Sequence, residues 1–114
     1  MILPPVHDDG RPPFDVVKAD TLLNSYVLVG VSIERKNGEF VRNEQFHGVV
    51  ERVDAHHGIK IALRGSNEGE TKWLPPALDA FEPASPGTYT LHSTSELITD
   101  PEFLATFTLV RPDA

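Results

Sequence analysis

Two adjacent histidines, His56 and His57, stand between two alternating apolar runs in the stretch FHGVVERVDAHHGIKIALRGSN, residues 46–67. Imidazole is a common metal ligand and proton carrier at neutral pH. On a regular strand two neighbouring side chains diverge to opposite faces, whereas in a turn they can converge. A metal site needs three or four ligands of believable geometry. The further donors here, His47, His92, Asp54 and Glu51, are scattered, so no metal and no cofactor is expected. The plainer reading makes both histidines solvated turn residues, with Asp54 opening the turn by accepting N–H bonds from residues just ahead. Arg64-Gly65 closes the second run. The planar guanidinium of Arg64 would suit a phosphate or a base edge, against the plain alternative of a solvated arginine at a strand end. Trp73, the single tryptophan, is a candidate partner-binding residue because tryptophan is enriched at interface hot spots; otherwise it caps the core. Ser66, Ser93 and Ser95 lie in no G-x-S-x-G elbow, and the glycines sit at separate turns rather than in a phosphate loop. No catalytic residue is nominated.

The elements that must position these residues follow from the rest of the chain. Its 114 residues suffice for one modest core. With 39% hydrophobic and 24% charged residues, the composition is that of a folded globular chain. No apolar run approaches the ~18 residues that cross a bilayer. The N-terminus lacks the pattern of a signal peptide, and there is no cysteine. A cytoplasmic location without membrane contact is therefore expected. The net charge of −7 opposes nucleic-acid binding over the whole surface, which needs cationic contacts. The acidity is peripheral, however. From Glu34 to Arg64, the basic Arg35, Lys36, Arg42, Arg52, Lys60 and Arg64 slightly outnumber the acidic Glu34, Glu39, Glu44, Glu51 and Asp54.

Residues 1–13, rich in proline, read as an extended arm, and residues 14–114 as a single domain. Phe14, Val17 and Thr21 share helical spacing, which predicts a short helix from Phe14 to about Leu23. The period then becomes two. Val27, Val29, Val31 and Ile33 alternate on one face of a strand, and Asn37-Gly38 signals a tight turn. Glu39–Arg42 predicts a short strand, Phe46–Val53 the next and Ile59–Leu63 another. TKWL, residues 71–74, is a strand piece ended by Pro75-Pro76, and ALDAF, residues 77–81, is at most one helical turn. TYTLHS, residues 88–93, and EFLATFTLV, residues 102–110, are the last strands; Phe103, Ala105, Phe107 and Leu109 share one face of the latter. Five or six short strands with little helix predict an all-β domain, a small barrel or a pair of orthogonal sheets.

The central segment also resembles the Sm-like proteins. Val29, Val31 and Ile33 precede Gly38, and Gly48, Val50, Asp54, His57, Gly58 and Ile61 hold the spacing of that family's first motif. Leu63-Arg64-Gly65 looks like the second; His57-Gly58 stands where the family has Met-Asn. Over about residues 22–65 the resemblance implies an SH3/Sm-like five- to six-stranded barrel whose edge strands pair between subunits. It also implies a rim able to hold short single-stranded RNA or a nucleotide. The leading expectation is a non-enzymatic binding module that pairs edge strands with a protein partner or with itself. The alternative is RNA held at the rim by His56, His57 and Arg64. A metal-dependent enzyme comes last.

Overall fold

The computed structural model describes residues 15–91 and 94–111. The arm expected over residues 1–13 and the ligand candidate His92 lie outside them. Helix α1 runs Val16–Leu22, and Asp15 caps it by accepting a hydrogen bond from the Lys18 N–H at 3.1 Å. The helix lies where its spacing predicted, yet it buries Ala19 and Leu22, while Val17 is 76% exposed. Val17 and Thr21, expected on the buried face, are exposed instead, and Phe14 lies outside the described residues. In so short a helix, the sheet beneath decides which stripe is covered.

Among the described residues eight strands follow: β1 Tyr26–Glu34, β2 Phe40–Asp54, β3 Gly58–Leu63, β4 Thr71–Leu74, β5 Phe81–Pro83, β6 Thr88–Thr90, β7 Leu97–Thr99 and β8 Phe103–Val110. The domain is mainly β, as its alternation predicts. The strands form a six-stranded sheet ordered β4-β3-β2-β1-β8-β5 and a separate hairpin of β6 and β7. Strands β1 to β4 make an antiparallel meander, but β8 pairs with β1 in parallel, Val27 opposite Phe103 through Glu34 opposite Val110. Val27, Val29 and Val31 of β1 are buried in the main core with Phe46, Val50, Ile59, Ile61, Phe81 and Phe107.

The expected closed barrel is not formed: the sheet stays open, with β4 and β5 as its edges. Closure would require these two to pair. Both are short, at 4 and 3 residues, and each runs into proline, Pro75 after β4 and Pro83 at the end of β5, which lacks the N–H a ladder needs.

The two pieces expected around residues 39–53 are one 15-residue strand, β2. It serves two neighbours in succession, β1 with its first half and β3 with its second. The two pairings overlap at Gly48 and Val49, and at Gly48 an added Cβ would overlap the Ala62 carbonyl oxygen of β3. A register shift between Val50 and Arg52 leaves Glu51 as an extra residue. Such a bulge resets the alternation, which returns Val53 to the core side, where it packs against the main cluster. At the open end of the core, Glu44 takes Arg42 at 2.9 Å and Lys72 of β4 at 3.3 Å. Partial burial pushes the Glu44 carboxyl up, but the two cations outweigh it and hold it below its ordinary range.

Candidate functional site

The turn between β2 and β3 is built as its residues predict. Asp54 Oδ1 accepts from the N–H groups of His56 at 2.7 Å and His57 at 2.8 Å, and lies 3.1 Å from His57 Nδ1. Those two backbone donors, His57 first, hold the Asp54 carboxyl down to about 2. Gly58 completes the turn at φ 101°, where a side chain would overlap the Leu74 carbonyl oxygen. Both histidines are exposed. Among the described residues, no three His, Asp or Glu side chains group so as to hold a metal ion.

Arg64 stands at the other end of β3. Six residues separate it from the histidine turn, about 20 Å of extended chain at ~3.3 Å per residue. The structure therefore does not bring His56, His57 and Arg64 together. Trp73 lies on β4 opposite Lys60, whose Nζ is 6.0 Å from the ring centroid. It is 45% exposed, while its neighbour Leu74 is buried. Trp73 is thus an edge-strand side chain on the face away from the core rather than a cap upon it.

What gathers around Arg64 is a group that sequence reasoning passed over. The Arg64 N–H donates to the His47 carbonyl at 2.9 Å, and its guanidinium lies 5.8 Å from the Tyr26 ring centroid. Alternation along β2 sends His47 to the face opposite Phe46, the side expected to meet water. Yet His47 is buried. Its Nδ1 lies 2.6 Å from the Tyr26 hydroxyl and its Nε2 3.0 Å from Glu96 Oε2. The segment between β6 and β7 brings Glu96 onto this face; Leu91 and Ile98, both buried, sit on either side of it in the chain. Ser66 Oγ donates to the other Glu96 oxygen at 3.2 Å.

One imidazole tautomer satisfies both contacts: Nε2–H donates to the carboxylate, and Nδ1 accepts from the phenol. The His47 hydrogen bond is the main reason the Glu96 carboxyl is held below its ordinary range. Burial raises the Tyr26 phenol, with Glu96 adding to the rise and Arg64 opposing it, so the phenol keeps its proton as donor. Glu96, His47 and Tyr26 have the order of a proton relay. Both ring nitrogens are nevertheless engaged inside the protein and the ring is shielded from solvent. The arrangement works as a clasp that fastens the β6–β7 segment to the sheet. It also explains Arg64-Gly65: Gly65 has φ 73°, and a Cβ there would overlap Glu96 and sit 2.7 Å from His47 Nε2. No local signal marks the clasp in the sequence, because Glu96 is 49 residues from His47.

The clasp and the Asp54 turn predict acid sensitivity. Both carboxyls lie lower folded than unfolded, so they bind a proton less readily in the folded chain. Their stabilisation is complete above the unfolded carboxylate range, about pH 4, and fades as pH falls through the folded values. The thermal midpoint, followed by circular dichroism, is expected to be level from about pH 7 to 5 and to drop below about pH 4. The double variant Asp54→Asn, Glu96→Gln should flatten that drop. An equally steep fall in the variant would assign the acid sensitivity elsewhere.

Comparison of the chain with protein-family models, with curated proteins and with solved structures gives no match. What defines it is its architecture: a mainly-β domain with an open six-stranded sheet, whose helix packs into the main core and whose clasped segment lies on the opposite face.

Proposed function

We propose that this chain is a non-enzymatic interaction module that accepts a partner strand, in the first instance from a second copy of itself, along the free edge of β8. The observation that carries this reading is the incomplete pairing of β8. On one side it pairs with β1 throughout, but on the other β5 covers only Phe103–Ala105. Thr106–Val110 has no strand partner on that side among the described residues. The N–H and C=O of a strand residue point to one side and alternate along the chain. The Arg111 N–H donates to the Glu34 carbonyl of β1 at 2.8 Å, so the backbone groups of Thr106, Thr108 and Val110 point outward.

Natural edges are blunted by charge, proline or bulges. The opposite edge, β4, carries Lys72 tied to Glu44 and runs into Pro75-Pro76. The free half of β8, Thr-Phe-Thr-Leu-Val, carries none of these devices, and Val110 is 57% exposed. The segment also complements itself. Antiparallel pairing about Thr108 sets Phe107 opposite Leu109, a favourable cross-strand combination, and Thr106 opposite Val110. The RNA reading needs His56, His57 and Arg64 at one place; they stand at opposite ends of β3, and it is not carried forward.

Light scattering at micromolar concentration is expected to give twice the chain mass. Thr108→Pro removes one outward N–H and leaves the β1 ladder intact, so it should give a folded monomer by circular dichroism. A wild-type chain that stays monomeric would remove self-pairing from the proposal.

A further inference from the structure

The Asn37-Gly38 pair that reverses the chain between β1 and β2 carries chemistry of its own. An asparagine side chain ends in an amide whose carbon, Cγ, can be reached by the backbone nitrogen of the next residue. Joining the two closes a cyclic imide. A side chain on that next residue crowds the nitrogen, and a ladder or helix holds it in place. Gly38 has no side chain, and a Cβ built there would meet no atom within 4 Å, so the space around its nitrogen is open. Both residues are exposed, and they lie between the ladder partners Glu34 and Phe40.

The amide is also held in a polarised state. Asn37 Oδ1 accepts the Glu39 N–H at 2.9 Å. Attack on Cγ moves charge onto this oxygen, and a backbone N–H already aimed there stabilises it. One restraint opposes the attack, because the Gly38 N–H donates to the Arg35 carbonyl at 2.9 Å. It is a single bond at an exposed turn, of the kind that opens locally far more readily than a core strand. The three other asparagines of the chain lack this combination. Asn24 precedes Ser25, which is buried and donates its N–H to the Leu22 carbonyl. Asn43 and Glu44 lie within the β1–β2 ladder. Asn67 precedes Glu68, whose N–H donates to the Gly65 carbonyl.

We propose that Asn37 is a self-modification site, which loses its amide nitrogen to water and becomes aspartate or isoaspartate. The Gly38 nitrogen gives its proton to hydroxide and bonds to Asn37 Cγ. The Cγ–Nδ2 bond breaks, and Nδ2 takes a proton from water and leaves as ammonia. One water then opens the imide. Opening at Cγ gives aspartate in the ordinary main chain. Opening at the Asn37 backbone carbonyl gives isoaspartate, whose main chain runs through Cβ and Cγ and is longer by one carbon. The sum is asparagine plus water giving either acid plus ammonia, with no change of oxidation state. Each product adds one negative charge beside the Arg35–Glu39 ion pair. Aspartate keeps the acceptor for the Glu39 N–H, whereas isoaspartate lengthens the turn that fixes the register of β1 against β2. The inference is independent of strand pairing at β8.

The test holds the full chain in mildly alkaline buffer, folded in one arm and unfolded in urea in the other. Both are followed by peptide mass mapping and by enzymatic methylation of isoaspartate. In the folded arm, position 37 is expected to gain one mass unit before Asn24, Asn43 or Asn67 changes, with both acids present. Its rate should lie within about tenfold of the unfolded arm and rise with pH, since the nitrogen reacts without its proton. Gly38→Ala should slow the reaction at least about tenfold. Asn37→Gln, whose amide would need a larger ring, should show no gain at this position with circular dichroism unchanged. A folded rate below the stated range, earlier reaction at another asparagine, or an unslowed Gly38→Ala chain would overturn the inference.

Discussion

Replacing Phe81 with alanine is expected to cost about 3–5 kcal/mol, the range for deleting a fully buried aromatic side chain. Phe81 has no exposed surface and is among the largest fully buried side chains of the described residues. Its ring meets Phe107 of β8 edge-on, with centroids 5.8 Å apart and planes at 71°, an arrangement that adds to simple burial. The backbone around it supplies little else, since β5 has only 3 residues and pairs from Phe81 opposite Ala105 to Pro83 opposite Phe103. Together with the buried Leu78, the side chain therefore anchors the proline-rich connection between β4 and β6. Domains of this size have total stabilities of about 5–15 kcal/mol, so Phe81→Ala should leave a marginal fold. Urea unfolding read by tryptophan fluorescence would measure it. Phe81→Leu, which keeps most of the volume, should recover much of the loss. A loss below about 1 kcal/mol for the alanine variant, the scale of surface changes, would mean that the connection is not docked as described.

The second large effect is expected from a single methyl group. Gly48→Ala places a Cβ against the Ala62 carbonyl oxygen and carbon and against Ile61 Cγ2. The first two are backbone atoms of a paired strand and cannot rotate away. Relief would have to come from separating β2 and β3 where they first meet, Gly48 opposite Leu63. Overpacking of this kind costs about 1–3 kcal/mol, and more where backbone must move. The expected result is a lowered urea midpoint with an unchanged slope, which marks lost stability rather than a changed denatured state. Gly30→Val, in the neighbouring strand, should show no such loss, because a Cβ at Gly30 meets no atom within 4 Å. A Gly48→Ala chain as stable as wild type would contradict the close approach of the two strands.

Much of the architecture can be read directly from local pattern. Val27, Val29 and Val31 announce β1, and Phe103 to Leu109 announce β8, because a half-buried strand needs one apolar face. Asn37-Gly38 marks the first turn; Gly38 has φ 88°, and the Arg35 N–H donates to the Glu39 carbonyl at 2.8 Å. Asp54 and Gly58 likewise shape the second turn through bonds that reach only two or three residues. Each of these depends on neighbours in sequence, so each leaves a trace there. The continuity of β2 is harder to see, because the polar Asn43, Glu44 and Gln45 carry no apolar alternation to join Arg42 to Phe46. β5 and β7 have 3 residues each, too few to show a period.

Alternation predicts the all-β class, the individual strands β1, β3 and β8 and the histidine turn, since these rest on side-chain period and turn chemistry within a few residues. Tertiary structure alone decided that β8 lies parallel to β1, that the sheet stays open and that, among the described residues, half of β8 has a strand partner on one side only. It also decided that His47, which strand alternation assigns to solvent, is buried against Tyr26 and Glu96. The physical reason is common to all four. Backbone ladders and the burial of a polar face are satisfied by partners tens of residues away, and a strand's own period says which side it buries but not what covers the other.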